Sequence, residues 1–248
     1  RGWNQELWPD RRFPTAADID AVVSDRPVWL GRVDGHAAVA NSAAMQAAGF
    51  SVNTVAPQGG RIENGLFVDA AMVLVESRIP PPTAAEQDQA LAKAQEMMLS
   101  TGLTAAADMG TSAEEWAAMN RAAGAGTLNV RILSYAGGIP SMTAINGGRP
   151  SGWLHADRLN LIGVKLYADG GLGSRGAVLK RPYADQPDTR GLSLISDAQL
   201  ASQTDQAART GHQIAVHAIG DGANAQVITA FEALGRTYPG DRRWRIEH

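Results

Sequence analysis

Leu159-Asn160-Leu161-Ile162-Gly163-Val164-Lys165-Leu166-Tyr167-Ala168 is an almost unbroken apolar run with a single lysine inside it. Runs of this kind, bounded by glycine, are the pattern of strands buried on both faces in a parallel sheet. Four others share it: Leu103 to Met109, Val130 to Ala136, Gln213 to His217 and Arg243 to His248. A strand-helix-strand unit takes about 30 or more residues, and the run ends at 109, 136, 168, 217 and 248 follow that spacing with one longer interval. The pattern is βα repetition. It suits either a doubly wound sheet or most of a (β/α)8 barrel.

The segments between the runs carry helix punctuation. Thr83-x-x-Glu86, Ser112-x-x-Glu115 and Ser196-x-x-Gln199 fit capping boxes, and Gly102, Gly124 and Gly211 supply stops. No Gly-x-Gly-x-x-Gly follows the first strand, which weakens the dinucleotide-binding version of the doubly wound fold. Gly170-Gly171-x-Gly173 follows a strand without a clear helix behind it, and reads as a loop that lets backbone approach a ligand.

The first eighty residues are organised differently. Thr15-x-x-Asp18 opens a short helix, Val28 to Val33 reads as a strand, Asn41 to Ala48 as a helix stopped by Gly49, and Pro57 to Gly65 as a turn-rich stretch. Pro80-Pro81-Pro82 is a rigid linker before the first repeat helix. Trp3 and Trp8 in the opening segment suit a lid over a pocket, with plain core packing as the alternative.

Composition narrows the functional classes. The 248 residues carry 22 Lys+Arg against 25 Asp+Glu, with 44% hydrophobic and 19% charged residues. A net charge of −3 offers no basic face to displace phosphate counterions, so nucleic acid is not an expected partner. With no cysteine, disulfides, thiolate nucleophiles and Cys-type zinc sites are excluded. No apolar run approaches the roughly 18 residues of a membrane span, and the expected setting is cytoplasmic. The opening Arg1-Gly2-Trp3-Asn4 is not a signal peptide, and the chain reads as a piece of something longer.

Five histidines are available: His36, His155, His212, His217 and His248. A lone histidine is more often structural than catalytic, which is the reading for His155 and His212. His217 and His248 both end inferred strands, and barrel active sites are built at strand C-termini. Lys165 is the third oddity, because a bare ammonium inside an apolar strand costs several kcal/mol. An ion pair, a lowered pKa for Schiff-base chemistry, or conversion to a carbamate that ligates metal would each relieve it. Spacing does not choose among them.

Three motifs, Val164-Lys165-Leu166-Tyr167-Ala168-Asp169-Gly170-Gly171-Leu172-Gly173-Ser174-Arg175-Gly176-Ala177, His217-Ala218-Ile219-Gly220-Asp221-Gly222-Ala223-Asn224 and Arg245-Ile246-Glu247-His248, together resemble the YtcJ-like (amidohydrolase 3) branch of the amidohydrolase superfamily. Gly2-Trp3-Asn4-Gln5 and Val33-Asp34-Gly35-His36-x-x-x-x-Asn41 are similar to that branch too, so the likeness runs from end to end. It implies a metal-dependent hydrolase on a (β/α)8 barrel, with a small-molecule substrate and one or two divalent ions, zinc as the expected metal. By similarity Lys165 would be carboxylated and bridge the ions, and His217 and His248 would hold one of them. Hydroxide would then attack an amide-type C–N bond. The branch also includes proteins called exoenzyme regulators.

Further roles follow as expectations. His36 and Asp169 are candidate catalytic residues. Trp3, Asn41 and Arg175 are candidates for substrate binding, against a capping role for Asn41 and a surface ion pair for Arg175. Asp221 would cap the helix beginning near Gly222 or support the ligands from behind. Glu247, alternating with His248 along the strand, should point to the other face.

The family's His-x-His pair and its last-strand aspartate are not in the chain. The expected architecture is therefore a partial barrel of about strands two to six, residues 83–248, with residues 1–82 as an α+β insertion or lid. The parent would be an enzyme and this chain inactive or nearly so. Two rivals stand beside it: a Schiff-base lyase using Lys165, and a non-enzymatic binding or regulatory domain. Open sheet edges would favour a homodimer, an element swap or cover by the first eighty residues.

Overall fold

Two sheets organise residues 2–51 and 54–248, which the computed structural model describes. The first is antiparallel: β1 (Trp29–Gly31), β2 (Ala37–Ala40), β3 (Gly60–Glu63) and β4 (Leu66–Asp69) lie in the order β1-β2-β4-β3. Three short helices accompany it, α1 (Ala16–Asp20), α2 (Ser42–Ala47) and α3 (Met72–Glu76). Phe67, Ala40, Ala44, Met45 and Val75 pack into its own small core. Within the turn-rich stretch Pro57 to Gly65, β3 is a strand. Glu63 pairs with Leu66 across Asn64 and Gly65, whose φ angles of 50° and 86° form a two-residue hairpin turn.

The second sheet carries the repeats. Helix α4 (Ala84–Ser100) leads to β5 (Ala105–Thr111), α5 (Ala113–Gly124) to β6 (Arg131–Gly137), and α6 (Gly138–Ala144) to β7 (Gly152–Leu154) and β8 (Leu159–Tyr167). Then come α7 (Asp197–Arg209), β9 (Gln213–His217), α8 (Asp221–Thr237) and β10 (Arg245–Glu247). All three expected capping boxes are formed, at Thr83, Ser112 and Ser196. Gly102 and Gly211 take the left-handed conformation just past their helices, with φ of 80° and 86°. The stop after α5 is displaced: that helix runs through Gly124, and Gly126 makes the turn at φ 73°.

Strands β5, β6, β8, β9 and β10 are parallel neighbours in the order of the chain. A doubly wound sheet reverses its order at a switch point, so this is the singly wound half of a barrel. The unexpected β7 pairs antiparallel with β8.

Register divides the chemistry between the faces. Val164 and Leu166 of β8 align with Ile214 and Val216 of β9, and this set packs under α7 and α8 with Leu200, Ala207 and Val227. The alternate residues form the other, concave face: Lys165 and Tyr167 of β8, Gln213 and His217 of β9, and Arg245 and Glu247 of β10. Glu247 therefore shares a face with His217, its register partner, contrary to the alternation argument. His248 lies beyond the strand at φ 75°, and that left-handed turn swings it out of the alternation. The polar residues of these strands thus converge on the inside of the half-barrel.

Gly163 opens room on this concave face. A Cβ there would stand 2.5 Å from the Tyr135 ring and 2.6 Å from the Gln213 carbonyl, while the Tyr135 hydroxyl donates to Gln213 Oε1 at 2.7 Å. We expect Gly163→Ala to lower unfolding free energy by about 1–3 kcal/mol through overpacking. Urea denaturation followed by circular dichroism measures it, and an unchanged midpoint would contradict the packing described.

Candidate functional site

Three imidazoles meet at the C-terminal end of the half-barrel. The His217 ring centroid lies 4.9 Å from that of His36 and 4.8 Å from that of His248, with interplanar angles of 49° and 62°. Tyr167, two residues beyond Lys165 on the same face, has its ring 5.4 Å from His217, and the Lys165 ammonium lies 5.2 Å from the Tyr167 ring centroid. The residues singled out as ligands are therefore neighbours.

Each arrives by a different route. His217 and Lys165 stand on adjacent strands, with Tyr167 opposite His217 in register. His36 comes from the antiparallel sheet, on the loop between β1 and β2, and its Nδ1 is 2.8 Å from Asp69 Oδ1 at the end of β4. Asp69 is buried and takes a left-handed φ of 48°, a conformation few non-glycine residues adopt.

The glycine-rich loop after β8 explains how the two sheets meet. A Cβ at Gly170 would lie 1.9 Å from Asp69 Oδ2, and one at Gly176 would lie 2.0 Å from the same atom. A Cβ at Gly171 would strike the His36 ring at 2.9 Å, and one at Gly173 the Arg32 guanidinium at 2.8 Å. Arg61 adds a hydrogen bond to the Ser174 carbonyl at 3.3 Å. The loop does permit close approach, but the approaching groups are side chains of the other sheet.

Electrostatics favours uncharged nitrogen. Burial pushes the His217 imidazole down to about 4, and burial also lowers His248. Burial, then Arg245, lowers the Lys165 ammonium against the opposing pull of Glu247. Lys165 is 3% exposed, and among the described residues no carboxylate comes within ion-pair distance of it. The hydrogen bond to Asp69 raises His36, while burial raises the Asp69 carboxyl itself. Asp69 Oδ2 is buried without a hydrogen-bond partner.

The donor set suits a divalent cation in part. Neutral imidazole is the ligating form, and two imidazoles sharing a tetrahedral ion at about 2.0–2.1 Å put their ring centroids roughly 5 Å apart, which matches the spacing of His217 and His248. A lysine ammonium has no lone pair and fits only after losing its proton or being modified. Among the described residues no three His, Asp or Glu side chains already converge in ligating geometry.

The remaining candidates take other positions. Asp169, fully buried, accepts from the amides of Val178 at 2.7 Å, Gly220 at 2.8 Å and Ile219 at 3.0 Å, and its Oδ1 lies 3.6 Å from His217 Nε2. It ties the loops after β8 and β9 together behind the imidazole. Asn41 is the N-cap of α2: its Oδ1 accepts from Val28 and Ala44, and its amide donates to the Val23 and Arg26 carbonyls. Every polar group of that buried side chain is thereby engaged. Arg175 pairs with Asp185 at 2.8 Å and lies over the Phe13 ring. Trp3 donates to the Leu30 carbonyl and packs with Trp8 and Phe13.

Asp221 is a correction: the N-cap of α8 is Gly220, and Asp221 begins the helix with Oδ1 accepting from the Lys180 amide at 2.8 Å. Asp69 was missed altogether. Only its position four residues after the Asn64-Gly65 turn marked it as a strand end, and no sequence spacing paired it with His36. A cleft of about 300 Å³ lined by Lys165, Tyr167, Gly137, Gly138, Gln199 and Gln203 opens beside these groups.

The whole chain, residues 1–248, matches the model of the amidohydrolase family (Amidohydro_3). It belongs to that family. It is 33% identical over 265 residues to Protein LONG AFTER FAR-RED 3 of Arabidopsis thaliana, covering 100% of this chain and 45% of that protein. It is 34% identical over 243 residues to the putative amidohydrolase YtcJ of Bacillus subtilis, covering 93% and 45%. An N-substituted formamide deformylase of Arthrobacter pascens is 26% identical, with 96% and 47% covered. The crystal structure of an uncharacterized metal-dependent hydrolase from Pyrococcus horikoshii superposes with a TM-score of 0.70 at 29% identity, over 100% of this chain and 48% of that one. The chain thus spans about half the length of the relatives it matches.

The depressed His217 gives a pH prediction. Its folded pKa of about 4 lies below the ordinary 6.5, so between those values the unfolded chain binds the extra proton. Stability is complete above about pH 6.5 and falls as the pH drops toward 4, by roughly 3 kcal/mol at most from this group. Urea midpoints with chelator present should therefore decline over that window, and less steeply in His217→Gln. Parallel declines for the two proteins would remove His217 as the cause.

Proposed function

We propose that this chain supplies the central part of the active site of a metal-dependent amidohydrolase that cleaves an amide-type C–N bond. Lys165, His217 and His248 are its ligands, Lys165 as a carbamate, and zinc is the ion that imidazole and carbamate oxygen suit. The observation that carries the reading is the buried lysine, with no carboxylate at ion-pair distance among the described residues, on one concave face with His217. Burial favours the neutral amine, which is the form that reacts with carbon dioxide. The amine nitrogen attacks the carbon, one proton leaves, and the resulting anionic oxygen is a ligand where an ammonium forms no ion pair among the described residues.

A divalent cation held there supplies Lewis acidity toward a substrate carbonyl and makes water acidic enough to lose a proton near neutral pH. The chain's own residues prepare that setting. His217 and His248 offer neutral nitrogen, Asp169 fixes the loop behind His217, and the cleft beside Lys165 and Tyr167 gives a small substrate a partly buried place to lie. The deformylase among the relatives supports a C–N bond as the target. Because the chain spans about half of its relatives, the isolated 248 residues hold metal but hydrolyse substrate slowly or not at all.

Metal analysis tests this directly. Incubated with zinc and bicarbonate, the chain should retain zinc and show a carbon-dioxide adduct on Lys165 by native mass spectrometry. Lys165→Ala should lose the adduct and at least tenfold in zinc affinity. Covalent trapping of a carbonyl compound on Lys165 by borohydride, with zinc uptake indifferent to bicarbonate, would replace the hydrolase with the Schiff-base reading.

A further inference from the structure

We infer that the cleft beside Lys165 takes an uncharged polar substituent of the scissile amide, read by the Tyr167 hydroxyl and the Gln203 side-chain amide. The inference rests on the amidohydrolase reading for the bond that is cut, and adds the class of group carried next to that bond.

The cleft lies where the end of β8 meets the first turns of α7. Gln199 and Gln203 stand four residues apart on that helix, so they share one face of it, and Gln203 is half-buried. Leu194 and Ile195 supply apolar lining. Tyr167 is the exposed last residue of β8, with its ring 5.2 Å from the Lys165 ammonium and 5.4 Å from the His217 ring, which joins the cleft to the candidate ligands.

The free polar atoms here are of one kind. Among the described residues the Tyr167 hydroxyl and the Gln203 amide form no hydrogen bond. Gln199 uses its Oε1 on the amide and hydroxyl of Ser196 and leaves its NH2 group unengaged. A phenol and a primary amide together offer both donors and acceptors, and neither carries charge at neutral pH.

Charge is absent from most of the lining. Lys165 is the only Lys, Arg, His, Asp or Glu among the residues that line the cleft, and as a carbamate it is turned to the cation. Charged groups near the same end of the sheet are already committed: Glu247 to Arg245, Arg175 to Asp185, Asp108 to the Thr111 hydroxyl, and Asp169 to three backbone amides. A carboxylate or ammonium placed in the cleft would lose water without meeting a counter-charge, whereas an uncharged amide or hydroxyl exchanges water for Tyr167 and Gln203. At about 300 Å³ the space is at the small end for a ligand site.

Three N-acetyl compounds of similar size test the assignment: neutral N-acetylglycinamide, anionic N-acetylglycine and cationic N-acetylethylenediamine. Their affinities for the 248-residue chain are measured by ligand-observed NMR titration, with chelator and bicarbonate present so that carboxylate binding to a metal ion does not enter. N-acetylglycinamide should bind about tenfold more tightly than either charged compound. Tyr167→Phe and Gln203→Leu should each weaken it by about two- to tenfold, the loss of one hydrogen bond, and leave the charged compounds unchanged. N-acetylglycine binding as tightly as the amide, affinity for the amide unchanged in both variants, or no binding of any of the three overturns the inference. Zinc uptake and the Lys165 adduct are read separately on the metal-loaded chain. A chain that takes up zinc without the preference therefore loses only this inference, and one that shows the preference but takes up no zinc loses the hydrolase reading.

Discussion

The Asp69 carboxylate sits where any side chain at Gly170 or Gly176 would be, and the meeting of the two sheets depends on that contact. A Cβ within 2 Å of a carboxylate oxygen cannot be accommodated by small shifts, so substituting either glycine would push the antiparallel sheet off the loop after β8. His36 rides on the same contact through its hydrogen bond to Asp69 and through Gly171, on which its ring rests. One packing constraint therefore decides whether the imidazole of one sheet reaches those of the other.

The concave face of the half-barrel bears the opposite burden. Lys165, His217, Glu247 and Arg245 share this face by register, and Lys165 and His217 are buried where charge is poorly solvated. Burial answers by lowering His217 and Lys165 toward their neutral forms. Asp169 shows how a buried anion is made tolerable, with three backbone amides donating to it. Lys165 has no comparable arrangement among the described residues, and that asymmetry is what makes it the candidate for chemical modification.

Legibility in the sequence followed the range of the interactions. The central parallel strands are visible because both their faces are buried, so Leu159 to Ala168 reads as one apolar run, and the capping boxes at Thr83, Ser112 and Ser196 are local signals that formed. The antiparallel sheet was only half visible. Its strands are four residues long or shorter, and Ala37-Ala38-Val39-Ala40 has no alternation because all four side chains are buried. The Asn64-Gly65 turn was the signal that could have exposed β3 and β4. That His217 and His248 come together at the strand ends is legible from their position, and the burial of Lys165 from the apolar run around it. The His36–Asp69 pair was not, since 33 residues separate its members and only the fold of the hairpins joins them. Glu247 was assigned the wrong face because alternation was counted back from His248, which has already left the strand at φ 75°.

The central claim is the proposal that His217 and His248, with Lys165 as a carbamate, hold a divalent cation. Anomalous diffraction from crystals of the chain grown with zinc, collected on both sides of the zinc absorption edge, asks that question without reference to a substrate. The account predicts a single strong difference peak at the C-terminal end of β9, within coordination distance of nitrogen on both His217 and His248. A zinc peak elsewhere on the surface, with no density between His217 and His248, would contradict it.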